Sequence, residues 1–127
     1  GRLQPRQDSP ACSEWDAWGA LEKNIWLWAE TNTIIMDSLD AINPERWLLV
    51  RFEDFVADAL REYSKIRRFL GFPEALSEAT KSVLLAPVVN ASKSYEVAGY
   101  EHWSALQKTH FQQYAGPMMD RLGYTYE

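Results

Sequence analysis

Apolar side chains recur at every third or fourth position between residues 18 and 42, which is the spacing of one face of an α-helix. The pattern predicts an amphipathic helix of about seven turns. Ser13 with Asp16 resembles a capping box at its start, and Pro44 ends it because proline disfavours helix in the preceding residue. Trp26 precedes Trp28 of the apolar face by two residues, and two residues turn a helix by roughly 200°. Trp26 is therefore expected to lie off the buried face. That face comprises Trp18, Leu21, Ile25, Trp28, Asn32, Ile35, Leu39 and Ile42.

An almost continuous apolar run follows at residues 47–52. Such a run is typical of a strand that is buried on both faces, as in a parallel sheet. Glu53 and Asp54 interrupt the run and suit the start of a helix, for which Asp58 is a second candidate N-cap. Gly71 supplies the left-handed position that ends this helix. Its apolar face is formed by Ala59, Tyr63, Ile66 and Leu70.

The rest of the chain has a weaker pattern. Residues 74–86 are expected to form a shorter helix, and residues 87–99 show no period and are expected to form a loop. A last helix is predicted from about Tyr100, and the Gly-Pro pair at residues 116–117 should kink it or split it. Gly123 is its predicted cap.

The predicted fold is therefore mainly α, with four to five helices and one short strand. Residues 1–12 are expected to form a flexible arm and residues 13–127 a single domain. A lone strand of the buried type needs a partner, because unpaired backbone groups away from water cost free energy. Three alternatives follow: a segment outside this sequence completes the sheet, two copies of the chain pair, or the run is extended chain lying across helices.

Composition narrows the class of protein. A net charge of −5 argues against a nucleic-acid-binding module, which usually carries a basic face. No apolar run approaches the ~18 residues of a membrane span. Cys12 is the single cysteine, which fits a reducing compartment, and a cytoplasmic location is expected. His102 and His110 lack partners at ligand spacing, so they are expected at the surface or rim, and no metal site is predicted.

Two segments resemble the sulfotransferase family, in particular its bacterial and tyrosylprotein members. Residues 46–73 resemble the family's hydrophobic strand, acidic turn and helix that ends in Phe-Leu-Gly. Residues 115–124 resemble the turn and Leu-Gly-Tyr sequence near the family's C-terminus, and Trp103 also has a counterpart. The match extends over roughly residues 15–126 and corresponds to the C-terminal half of an α/β fold. The family's Gly-rich loop for the 5′-phosphosulfate belongs to the N-terminal half, and the sequence contains no such loop.

The resemblance implies which residues bind the donor. The family transfers a sulfuryl group from 3′-phosphoadenosine 5′-phosphosulfate to a hydroxyl or an amine. Phe52 stands where some relatives have a tyrosine that touches the nucleotide, and it lacks the hydroxyl. Lys93 and Ser94 match a basic-Ser pair of a later loop, although a solvated loop is the simpler interpretation of these two residues. No catalytic residue is assigned, because Glu53 and Asp54 are better explained as helix caps.

The leading hypothesis is a sulfotransferase-like domain that is inactive alone and does not bind the phosphosulfate donor tightly by itself. It would work with a missing N-terminal half or as a homodimer, and the chain's first residue, Gly1, suggests a fragment or a processed form. The alternative is a free-standing helical interaction module that homodimerises or binds a protein partner. The sequence leaves open whether the chain is an enzyme and what its acceptor would be.

Overall fold

The computed structural model describes residues 3–73, 75–87 and 99–125. Within these ranges the chain is mainly helical, as predicted. Short 3₁₀ turns lie at Trp15–Ala17, Pro44–Arg46 and Tyr100–His102. The described ranges contain seven α-helices: α1 (Pro10–Glu14), α2 (Ala20–Asp40), α3 (Phe52–Ala57), α4 (Ala59–Phe69), α5 (Glu78–Leu84), α6 (Ala105–Tyr114) and α7 (Gly116–Leu122).

The predicted strand at residues 47–52 is wrong, and so is the assignment of the chain to an α/β fold. No strand forms anywhere in the described ranges. Trp47 and Arg51 do have extended backbone, with φ/ψ of −143°/156° and −82°/135°, but Phe52 already begins α3. A strand exists only through the ladder of hydrogen bonds to a neighbouring strand, and a second apolar extended segment is missing from the described residues. The Trp47 Nε1 atom is buried and has no hydrogen-bond partner among them.

The chain divides into two compact units. The first comprises residues 1–41 and 96–127 as far as they are described, and it contains α1, α2, α6 and α7. Helix α2 packs against both α6 and α7. The buried centre consists of Ile25, Ala29 and Ala115, and the side chains of Leu21, Trp28, Trp103, Phe111 and Tyr114 pack around it.

The N-terminal part of the first unit differs from the prediction. Helix α1 is capped by Ser9, whose Oγ accepts a hydrogen bond from the Ala11 amide. The expected capping box at Ser13 is wrong, because the Ser13 hydroxyl donates to the Pro10 carbonyl instead. Residues 10–12, which the sequence assigned to a flexible arm, lie in α1, and Ala11 is buried. The arm and the single domain over 13–127 otherwise stay predictions.

The C-terminal part of the first unit follows the prediction at the Gly-Pro break and at Gly123, but α6 begins at Ala105, because Tyr100–His102 forms a 3₁₀ turn instead of the start of the helix. Ser104 forms a reciprocal capping box with Gln107 at the start of α6. The helix breaks at Ala115, and α7 begins at the Gly-Pro pair of residues 116–117. Gly123 ends α7 with a positive φ of 69°, a conformation that glycine adopts without steric cost. Helix α7 is tied to α2 by the Arg121 guanidinium, which donates to the side chains of Asp37 and Asp40 at 2.7 Å each.

The second unit comprises residues 42–95 as far as they are described, and it contains α3, α4 and α5. Asp58 caps α4 by accepting a hydrogen bond from the Arg61 amide at 3.0 Å. Gly71 follows α4 with a φ of 74°. Both features confirm the sequence prediction for this helix. Helix α5 is capped by Ser77 and is shorter than the predicted helix over residues 74–86.

The second unit leaves many large apolar side chains exposed. Phe52 is 74% exposed, Val83 75% and Leu85 67%. All the apolar side chains among its described residues are at least partly exposed, and the one buried residue is Glu62. Apolar surface of this extent is typical of a region that another surface covers. The other large apolar side chains exposed in the unit are Ile42, Leu48, Leu49, Val56, Phe69, Leu70 and Phe72.

Candidate functional site

A cleft of about 440 Å³ lies beside Phe52 in the second unit. We call it the second-unit cleft. Its walls come from α3, from the start of α4 and from the end of α5, because the α3–α4 corner at Asp58 turns the two helices against each other. Apart from Asp58, the lining is apolar: Phe52, Phe55, Val56, Ala57, Ala59, Leu60, Leu84, Leu85 and Ala86.

The second-unit cleft does not fit the phosphosulfate donor on its own. That donor is polyanionic and needs cations or backbone donors aimed at it. Asp58 is the only charged residue that the described chain places in the lining, and its carboxylate would repel an anion. Phe52, the residue that the resemblance assigns to the nucleotide, offers a largely exposed ring without a hydroxyl. Lys93 and Ser94 lie outside the described residues.

The cations of α4 are engaged elsewhere in the unit. Arg61 and Lys65 both bind the carboxylate of Glu62, which lies between them. The hydrogen bond from Lys65 is the main reason why the pKa of Glu62 is held below its ordinary value of 4.5, and burial of the carboxylate opposes this effect. Arg67 donates to the Pro73 carbonyl at 2.8 Å and lies over the ring of Phe72. These interactions organise the helix and leave the second-unit cleft apolar.

A second cleft, of about 320 Å³, lies in the first unit between α1, α2 and α6. We call it the first-unit cleft. Trp26 forms part of its wall and is only 6% exposed, because the ring of Trp15 packs against it with the centroids 5.3 Å apart. The sequence placed Trp26 off the buried face, and that prediction is wrong. The complete lining is Ser9, Pro10, Ala11, Trp26, Ala29, Glu30, Thr33, Gln113 and Tyr114.

Two hydroxyl groups of the first-unit cleft have their protons committed to hydrogen bonds. The Thr33 hydroxyl donates to the Ala29 carbonyl at 2.9 Å, which leaves its oxygen lone pairs available. The Tyr114 hydroxyl donates to Glu14 Oε2 at 3.3 Å. Burial, followed by the charge of Glu14, raises the pKa of Tyr114, so the phenol keeps its proton at neutral pH. Glu30 forms no ion pair with any described residue, and no Lys, Arg or His belongs to the described lining.

The two histidines have different environments. His102 is exposed, as expected, and lies 3.4 Å from Glu101. His110 is buried, which corrects the expectation of a surface or rim position. Its ring packs edge-on against Trp18 and beside Tyr114, with centroid distances of 4.6 Å each. Throughout residues 3–73, 75–87 and 99–125 there is no group of three or more His, Cys, Asp or Glu side chains that could hold a metal ion.

Among the helices of the described ranges, none combines the length and apolar composition that crossing a bilayer requires. Comparisons of the chain with family models, with curated proteins and with solved structures give no match. The resemblance to sulfotransferases therefore depends on the two resembling segments and Trp103 alone.

Sequence reasoning missed the first-unit cleft, although a signal for it exists. Trp26, Glu30 and Thr33 are spaced by four and three residues, so they share one face of α2. This face is polar, apart from its tryptophan and Ala29, and the predicted buried face is the more apolar stripe instead. The contribution of α6, through Gln113 and Tyr114, depends on tertiary packing and has no local signal.

Proposed function

We propose that this chain is a sulfotransferase-like domain that supplies part of a site for sulfuryl transfer from 3′-phosphoadenosine 5′-phosphosulfate to a hydroxyl or an amine. The observation that carries the proposal is the order and spacing of the two resembling segments, residues 46–73 and 115–124, with Trp103 between them. The described residues contain the acidic helix start, the capped helix and the left-handed glycine of the first segment, but not its strand.

The proposal requires further polypeptide for activity. Sulfuryl transfer needs groups that hold the phosphosulfate and a base that takes the acceptor proton. The cleft beside Phe52 is apolar with one carboxylate, and Arg61, Lys65 and Arg67 are engaged within the unit. A segment with a Gly-rich anion-binding loop would have to supply the missing donors. The proposal retains a cytoplasmic location, which has the lone Cys12 as its sequence support.

A second candidate function is that of a helical interaction module. The specific observation in its favour is the exposed apolar surface of the second unit, including Phe52, Val83 and Leu85. Contiguous apolar surface on a folded unit typically marks a protein–protein contact. In this case the chain would homodimerise or bind a protein partner without catalysing a reaction.

One experiment separates the two functions. The genomic reading frame upstream of residue 1 is determined, and the complete encoded protein is produced and incubated with the radiolabelled sulfuryl donor and a panel of hydroxyl and amine acceptors. The sulfotransferase proposal expects an upstream strand, a Gly-, Ser- or Thr-rich loop and a helix, together with transfer of label. A start codon immediately before residue 1, or a complete protein that neither transfers label nor binds the desulfated nucleotide, contradicts it and favours the interaction module.

Variants of the complete protein then test the residues implied by the resemblance. Lys93→Ala and Ser94→Ala are expected to raise the KM for the donor. Lys81→Ala is the matched control, because Lys81 pairs with Glu78 on the surface of α5. An unchanged donor KM in both test variants, with measurable transfer by the parent protein, would remove these two residues from the donor site while leaving the sulfotransferase proposal standing.

A further inference from the structure

We propose that the first-unit cleft binds a primary ammonium group carried on an aliphatic stem. The inference is independent of the proposed sulfotransferase function, because it concerns α1, α2 and α6 and no residue that the resemblance implies for the donor. It rests on three properties of the cleft: the sign of its charge, its supply of hydrogen-bond acceptors and its aromatic wall.

The electrostatics of the first-unit cleft favour a cation. Glu30 is the ionisable carboxylate in the lining, and Glu14 lies at the edge through its hydrogen bond with Tyr114. The surrounding unit also carries a negative net charge, since its described residues include nine Asp or Glu side chains and four Lys or Arg side chains. A cation entering the cleft meets a carboxylate that has no ion-pair partner among the described residues, so no existing ion pair of that carboxylate has to break.

The acceptors suit the three N–H donors of an ammonium group. The Glu30 carboxylate accepts one hydrogen bond, which is strengthened by charge on both partners. The Thr33 hydroxyl oxygen accepts a second, because its own proton is directed to the Ala29 carbonyl. The Gln113 amide oxygen or the Tyr114 hydroxyl oxygen, whose proton is directed to Glu14, accepts the third. An anion would be repelled by the Glu30 carboxylate.

The apolar part of the lining suits the methylene stem. Trp26, Pro10 and Ala29 offer aromatic and aliphatic surface beside the polar atoms. Long cationic side chains bury their methylene groups against such surfaces. The ligand class is therefore an aliphatic primary amine. Its two sources are a small free amine and the side chain of a lysine in a peptide.

Titration of the complete chain with defined probes tests the proposal. The cationic probes are n-butylamine for the free amine and Nα-acetyl-lysine amide for the peptide side chain. Pentanol and Nα-acetyl-norleucine amide are their neutral counterparts. Binding is followed by the chemical shifts of the indole N–H groups, with ionic strength held equal throughout. We expect the cationic probes to bind saturably, with dissociation constants up to about 10 mM, and the neutral probes not to saturate. The cationic probe that binds more tightly identifies the source.

Variants localise the binding. Glu30→Gln is expected to weaken it roughly tenfold or more, since it removes a charge-assisted hydrogen bond at nearly constant shape. Thr33→Val removes an acceptor and should also weaken binding, which keeps the test informative if Glu30→Gln fails to fold. Glu101→Gln is the matched control, because Glu101 is an exposed carboxylate of the same unit that does not line the cleft. Absence of saturable binding, equal binding of neutral probes, or unchanged affinity in the folded variants would each overturn the proposal.

Discussion

The Nε2 atom of His110 in α6 lies 3.1 Å from the backbone oxygen of Glu22 in α2. A carbonyl oxygen only accepts, so the imidazole donates from Nε2 and this tautomer is fixed by the contact. The bond joins α2 and α6 through two residues that are 88 positions apart in the chain, at the place where the Trp18 and Tyr114 rings pack against the imidazole. This contact explains why a buried histidine is found in the first unit.

Replacement of His110 should therefore destabilise the first unit. His110→Ala removes a long-range hydrogen bond and the ring that Trp18 and Tyr114 contact, and we expect it to lower the free energy of unfolding by about 2–3 kcal/mol. The measurement is chemical denaturation followed by tryptophan fluorescence. His102→Ala is the control, because His102 is exposed and its loss should change stability by less than about 0.5 kcal/mol. Equal effects of the two variants would contradict the structural role of His110.

Trp26 should contribute more to stability than Trp28. Trp26 is nearly completely buried, whereas Trp28 is half-buried at the edge of the Ile25 and Ala29 centre. Trp26→Ala is expected to cost about 3–5 kcal/mol, and Trp28→Ala clearly less. Thermal or urea unfolding of the two variants decides the order. A larger loss for Trp28→Ala would restore the order that the sequence pattern predicts.

The elements that the sequence predicts well are those with local signals. Asp58, Gly71 and Gly123 cap or end their helices as expected, because capping and positive φ depend on one residue and its immediate neighbours. The helix over residues 20–40 follows from its three-and-four spacing. Its buried face was only partly identified, because Trp15 belongs to a separate turn and covers Trp26 through tertiary packing.

The predicted strand shows the limit of the same reasoning. The apolar run at residues 47–52 has the composition of a central strand, but a strand depends on backbone partners that local sequence does not specify. In the described chain Trp47 and Arg51 keep extended backbone without a ladder, and α3 takes the last residue of the run, Phe52. The first-unit cleft was missed for a related reason, since Tyr114 and Glu30 come to line the same cleft only after α2 and α6 have packed.

Glu62 should make stability depend on acidic pH. The hydrogen bond from Lys65, with the charge of Arg61, lowers the folded-state pKa of Glu62 below 4.5. A lowered folded pKa means that the contribution is present in full above the unfolded value and is lost as the pH falls through the folded value. Unfolding of the parent chain and of Glu62→Gln should be compared across this acidic range. The stability difference is expected to shrink as the pH falls, and a constant difference would rule out this role for the ion pairs.

Tyr114 should titrate above the ordinary pKa of a tyrosine. Burial and the neighbouring Glu14 raise its pKa above 10.0. Because the folded pKa is raised, the stabilisation is present below the unfolded value and is lost as the pH rises through the folded value. The absorbance of tyrosinate should therefore show a late component, which Tyr114→Phe removes. Glu14→Gln should shift that component to lower pH, and a late component that is insensitive to both variants would assign it to another residue.

The second unit should mediate self-association of the isolated chain. It exposes Phe52, Val83 and Leu85, and without a partner this apolar surface stays in contact with water. Burial of apolar area stabilises a contact by about 25 cal/mol per Å², and specific interfaces bury about 800 Å² on each side. A twofold-symmetric dimer, in which each copy covers the other's surface, is the simplest closed arrangement. We therefore expect concentration-dependent sedimentation in the micromolar range.

Charged substitutions test whether this surface is the dimer contact. Leu85→Glu should produce a monomer, because burying an unpaired carboxylate in an apolar contact is costly. Leu106→Glu is the matched control: Leu106 is 83% exposed but belongs to the first unit. It should leave association unchanged, and circular dichroism of both variants checks that the helices persist. If the parent chain sediments as a monomer at all concentrations, or if Leu106→Glu dissociates it as well as Leu85→Glu does, the second unit is not the dimer contact. Its apolar surface would then require a different polypeptide as its cover.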